Sequence, residues 1–141
     1  MEKDLHTPRE RAESWLKASG LRPTKQRLLL AELLIGDGEN RHVTAEMLHR
    51  EAPDVALATV YNTLNAFCDA GLVREISVEG SRSFFDTRTD SHSHFHWHYS
   101  DEHGEQIADI PGQLRIEDMP EPPDGMEIAD IDVIVRLRPK G

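Results

Sequence analysis

The sequence of 141 residues has a single cysteine, Cys68. That excludes an internal disulfide and any zinc centre drawing two or more thiolates from one chain. A bound metal would have to rely on histidine and carboxylate. Long apolar runs are also missing. Runs such as Leu28 to Ala31 and Leu33 to Ile35 fall far short of the roughly 18 to 20 residues a bilayer span needs, which excludes a membrane helix. The start, Met1-Glu2-Lys3-Asp4-Leu5-His6, mixes charges and lacks an apolar stretch, so no secretory leader and a cytoplasmic location are expected. Positive charge is scarce as well. Lys and Arg number 16 against 26 Asp and Glu, a net charge of −10. Because non-specific nucleic-acid affinity comes largely from cations on phosphates, this total weighs against it.

The charge is unevenly spread. Residues 1–89 hold 12 basic and 14 acidic side chains, a balance of −2, and residues 90–141 hold 4 and 12, a balance of −8. Two domains are therefore expected, 1–89 and 90–141. Five of the eight histidines, His92, His94, His96, His98 and His103, lie within twelve positions of the acidic part.

The first part reads as helices followed by a hairpin. Thr7 and Pro8 open a helix over Pro8 to Ser19, with Gly20 beyond its end. Thr24 caps a second, nearly all apolar helix that runs to Ile35 and is expected in the core. Thr44 starts a third over Ala45 to Glu51, stopped by Pro53, and Ala58 to Asp69 forms a fourth with Gly71 at its end. Val73 to Val78 and Arg82 to Thr87 read as strands joined across Glu79-Gly80-Ser81. Helices followed by a two-stranded hairpin make a winged helix-turn-helix.

The second part is strand-rich. His92 to Tyr99 alternates without a break, so an extended strand puts its four histidines on one face and Ser93, Phe95, Trp97 and Tyr99 on the other. Gln106 to Ile110 and Glu127 to Arg138 read as two more strands. So few strand residues make a thin core, and a second copy of the chain is expected to complete it. The fold class is α+β, an N-terminal winged helix-turn-helix with a C-terminal α/β dimerisation domain.

The fourth helix carries Val60, Leu64 and Phe67 as an apolar stripe and leaves Thr59, Tyr61, Asn62 and Asn65 outward. Asn can pair bidentately with adenine, and a tyrosine ring can rest on a thymine methyl, so this face suits a major groove. Arg22, Lys25 and Arg27, before and at the start of the second helix, are placed to meet phosphates or a minor groove. In the second part, His92-x-His94 sets two histidines on one strand face about 7 Å apart at their Cα atoms, close enough for the imidazoles to converge on one divalent transition metal.

Gly20-Leu21-Arg22-Pro23-Thr24-Lys25-Gln26-Arg27, His42-Val43-Thr44-Ala45-Glu46, Ala58-Thr59-Val60-Tyr61-Asn62-Thr63-Leu64 and Ala70-Gly71-Leu72-Val73 together resemble the ferric uptake regulator superfamily. The resemblance covers most of the chain. It is closest to the iron response regulator branch, through Tyr61-Asn62-Thr63, Phe85-Asp86-Thr87, the His92 to His94 motif and a tail like Pro120 to Arg138. It implies a homodimeric regulator of iron homeostasis, not an enzyme, binding an inverted-repeat DNA operator in response to a metal (Mn, Fe or Zn) or to haem. The position of Tyr61 contacts thymines in the superfamily and that of Arg22 approaches the minor groove. Asn62 stands where many relatives carry Arg, a departure that bears on the operator sequence. The superfamily's regulatory metal site, between the two domains, would fall on His42, Asp86, His92, His94 and Asp109. Its cysteine-based structural zinc site is ruled out, because Tyr99-Ser100-Asp101-Glu102-His103 has no cysteine pair. His96 and His98 are then surplus, open to a second metal site with Asp132, to haem iron, or to a solvated strand face.

Two further readings compete. Asp86 and Asp109 with three histidines also resemble the iron site of a peroxide-sensing repressor of the same superfamily. His96, His98 and Glu102 match half of a cupin metal motif, which would imply a small metal-dependent oxygenase, but the glycine pattern and the many strands of such a barrel are missing.

Overall fold

The computed structural model describes residues 6–79, 82–89, 94–112, 114–129 and 131–141, with Glu79, Arg82 and His94 by backbone alone. The chain divides into two compact units, Met1–Asp90 and Ser91–Gly141.

Threonine begins three of the four helices among the described residues of the first unit. Thr7 caps α1 (Pro8–Ala18) through a reciprocal box, its hydroxyl accepting from the Glu10 amide and the Glu10 carboxylate accepting from the Thr7 amide. Those bonds hold the Glu10 carboxyl below its ordinary range. Thr24 accepts from the Arg27 amide at the start of α2 (Lys25–Ile35), and Thr44 from the Met47 amide at the start of α3 (Ala45–Glu51). The fourth helix, α4 (Leu57–Asp69), has Ala56 at its cap with no side-chain bond, and it begins one residue earlier than Ala58. It closes on Gly71, whose φ of +78° is a conformation that L side chains rarely adopt, while the Leu72 amide donates back to the Phe67 carbonyl.

The expected stripe of α4 is the heart of the core. Val60, Leu64 and Phe67 are fully buried with Leu16 of α1, Leu30 and Leu34 of α2 and Leu48 of α3. The Trp15 ring meets Phe67 edge-on, centroids 5.3 Å apart at 77°. A three-stranded antiparallel sheet closes this unit, ordered β1 (His42–Val43), β3 (Arg82–Asp86), β2 (Arg74–Glu79). The hairpin of β2 and β3 is the expected wing. The residue pair β1, which turns the ribbon into a sheet, was not anticipated, since two residues carry no periodicity. Of the expected hairpin turn, Gly80 and Ser81 lie outside the described residues.

The second unit is a sheet with β4 (His94–Asp101) at its centre. The strand β5 (Gly104–Asp109) pairs antiparallel on one side and β6 (Asp132–Arg136) pairs parallel on the other. Gly104, with φ +100°, makes the tight β4–β5 turn. The third strand is shorter than the expected Glu127 to Arg138, and residues 127–129 run outside the sheet. A parallel pair needs a long crossover, commonly a helix. Among the described residues between β5 and β6 no helix forms, and Pro111, Pro120, Pro122 and Pro123 account for that by removing donors and fixing φ.

Candidate DNA interface and metal-ligand pairs

The polar face of α4 is presented as its spacing requires. Tyr61 is 39% exposed, Asn62 and Asn65 are exposed, and Thr59 is half-buried. Thr59, Asn62, Thr63 and Ala66 line one side of a groove of about 270 Å³ whose other side is Thr24, Gln26 and Arg27 of the α2 start. The structure therefore brings Arg27 together with Thr59 and Asn62. Arg22 and Lys25 are exposed. The Arg27 guanidinium donates to the Arg22 carbonyl at 3.1 Å, which ties the loop before α2 to the helix.

Sequence reasoning missed one member of this face. The Tyr61 hydroxyl donates to Oε1 of Glu46, in the first turn of α3, at 2.6 Å. This bond raises the phenol pKa. The two residues are fifteen apart on different helices, so no local spacing marks them.

Within the first unit, His42 and Asp86 are Cα partners across β1 and β3, and their side chains meet with Nε2 and Oδ2 3.2 Å apart. Asp86 is fully buried and the His42 side chain is 14% exposed. Two ligands at about 2.0 to 2.2 Å from one tetrahedral or octahedral ion stand roughly 3.0 to 3.4 Å from each other, so this pair has the bite of a metal chelate.

Within the second unit a similar pair joins Asp109, one of the expected ligands, to His96, which the family resemblance left as surplus. His96 and Asp109 are Cα partners across β4 and β5, with Nε2 3.1 Å from Oδ1 and His96 fully buried. The partner of Asp109 across the strands is thus His96. His92 lies outside the described residues, as does the His94 side chain. Asp132 pairs in register with His94, while Ile134 stands beside His96 and Arg136 beside His98. Asp132 thus stands one register step from His96 on the same face of the sheet, and Glu105 lies 3.7 Å from His98. The reading of His96 and His98 as a solvated face fails: both are buried, whereas Phe95, Trp97 and Tyr99 on the opposite face are only half-buried. Alternation alone shows that two faces differ, not which one is covered.

The sequence model described as the ferric uptake regulator family matches residues 18–135, most of both units. The chain belongs to the ferric uptake regulator family. Among curated relatives in this family, the ferric uptake regulation protein of Shigella flexneri is 44% identical over 85 residues, covering 57% of this chain and 56% of that protein. The Vibrio cholerae protein is 41% identical over 81 residues, covering 55% and 53%. The chain thus matches little more than half the length of these relatives. Among solved structures, the ferric uptake regulator from Pseudomonas aeruginosa with manganese superposes with a TM-score of 0.61 at 26% identity, covering 92% of this chain and 98% of that one. The Vibrio cholerae ferric uptake regulator gives a TM-score of 0.63 at 24% identity, covering 89% and 98%, and shows the same fold.

Proposed function

We propose that this chain is a metal-responsive DNA-binding regulator of iron homeostasis, acting as a homodimer on an inverted-repeat operator. The observation that carries the reading is the buried His42–Asp86 pair, built into the sheet of the same winged helix that presents Tyr61, Asn62 and Asn65. Metal at that pair would fix the sheet register on which the wing depends. In this reading Tyr61, Asn62, Asn65 and Thr59 read bases, and Arg22, Lys25 and Arg27 meet the backbone.

His42 with Asp86 and His96 with Asp109 would serve as ligand pairs, with His92 and His94 as the further donors that the family resemblance supplies. Imidazole and carboxylate together suit Mn, Fe or Zn, and the manganese found with the Pseudomonas aeruginosa relative fits that set. Haem iron is the other ligand open to His96 and His98. The carboxylates of Asp109 and Glu105 beside them favour a divalent metal instead.

The half-buried face of Phe95, Trp97, Tyr99, Val133 and Val135 supports the dimer. A sheet of three short strands cannot bury such a face by itself, and a second copy can. No described helix is long and apolar enough to cross a membrane.

Selection from a pool of random duplexes tests this reading, run with Mn(II), Fe(II), Zn(II) or haem and with none. Recovery of a two-fold symmetric site whose affinity changes with a divalent metal supports it. Failure to enrich any sequence under all five conditions overturns it.

A further inference from the structure

We propose that Glu46 is a positioning residue for base reading: its carboxylate holds the Tyr61 hydroxyl so that the ring meets the major groove as a fixed apolar surface selective for the thymine methyl. This rests on the DNA-binding reading above. The 2.6 Å bond joins an exposed ring on α4 to the first turn of α3. At that distance an ionised acceptor makes one of the stronger hydrogen bonds available to a side chain.

Three features of the surroundings fit such a role. The negative charge lies in the first turn of α3, where the helix dipole favours it, and the Thr44 cap fixes that turn by accepting from the Met47 amide. The α3 and α4 helices pack through fully buried Leu48, Val60 and Leu64, so both ends of the bond stand on one rigid body. An exposed tyrosine without such a tether samples several staggered rotamers and would have to be ordered when DNA arrives. With its hydroxyl engaged, the ring offers carbon atoms to the base edge. Among bases, the thymine methyl is the group those atoms match in the major groove.

The test uses full-length protein and a duplex obtained by selection with the wild type, together with a copy in which the half-site thymines are deoxyuridine. Deoxyuridine is expected to weaken wild-type binding by roughly three- to tenfold, on the scale of a lost apolar base contact. Glu46→Ala is expected to weaken binding to the thymine duplex by a similar factor and to shrink the thymine preference. Glu46→Gln, which keeps an acceptor oxygen, restores most of both. In a Tyr61→Phe background, Glu46→Ala is expected to cause no further loss. Ultraviolet titration without DNA gives an independent readout: the Tyr61 phenol, identified by its loss in Tyr61→Phe, should ionise at lower pH in Glu46→Ala. Tighter binding by Glu46→Ala, an equal loss in the Tyr61→Phe background, an unchanged thymine preference, or an unmoved phenol titration would each overturn the proposal. If the wild type binds no duplex, the DNA-binding reading falls first. If it binds and only the Glu46 results fail, that reading stands without this refinement.

Discussion

The two carboxylate oxygens of Asp86 face different groups: Oδ1 accepts the Arg88 amide at 2.8 Å, and Oδ2 lies 3.2 Å from Nε2 of His42. One oxygen serves the backbone turn after β3 and the other serves the histidine. Asn at this position keeps the acceptor for Arg88 and loses the negative charge. Asp86→Asn should therefore lower Mn(II) affinity by at least about tenfold while leaving the fold intact, whereas Asp86→Ala, which strips the turn of its acceptor, should also cost about 1–3 kcal/mol. Isothermal titration with Mn(II) and urea unfolding of both variants separate the two effects.

Arg41 donates to the Leu33 carbonyl near the end of α2 at 2.7 Å and forms a two-pronged pair with Glu51 at 3.0 and 2.7 Å. The pair holds the arginine fully charged, its pKa raised by the Glu51 bond. Because the guanidinium also serves a backbone carbonyl, Arg41→Ala should cost about 1–2 kcal/mol, more than Glu51→Ala, which removes only a partly exposed ion pair worth up to about 1 kcal/mol. Equal losses in urea unfolding would show that the Leu33 contact contributes nothing.

Phe67 lies at the centre of the first unit with the Trp15 ring edge against it. Phe67→Leu removes that ring contact and leaves a gap, with an expected loss of about 1–3 kcal/mol. Fluorescence in a Trp97→Phe background isolates Trp15, and its unfolding midpoint in urea reads the loss directly.

Burial, with Glu75 and Asp69 nearby, pushes the Cys68 thiol up to about 11. The thiolate is the reactive form, so at pH 8 alkylation by iodoacetamide should run slower than for an unperturbed thiol, the smaller thiolate fraction outweighing the higher nucleophilicity of a more basic sulfur. The rate should rise as pH increases and level off only above about 11. A plateau near pH 9 would contradict this.

Much of the winged helix was legible because its signals are local. Thr7, Thr24 and Thr44 mark helix starts by the same hydroxyl-to-amide bond, and Val60, Leu64 and Phe67 repeat at the helical period. What escaped the sequence depends on contacts distant in the chain. The β1 strand has two residues and exists only because β3 lies beside it. The Glu46–Tyr61 bond joins separate helices. The histidine pattern showed two faces of β4, but only strand register put His96 against Asp109 and Asp132 beside His94. Four alternating histidines look alike in sequence and differ only by what stands across from each.

In the function proposed above, ligand binding at the histidine–carboxylate pairs controls DNA binding by α4. Its most direct test is one titration series, in which the affinity for the selected duplex is measured as Mn(II) increases, for the wild type and for His42→Ala, His96→Ala and Tyr61→Ala. The wild-type affinity is expected to change at least about tenfold with Mn(II), both histidine variants to lose this response, and Tyr61→Ala to bind poorly at every Mn(II) concentration. A wild-type affinity that is the same with and without metal, or a full metal response in both histidine variants, would contradict it.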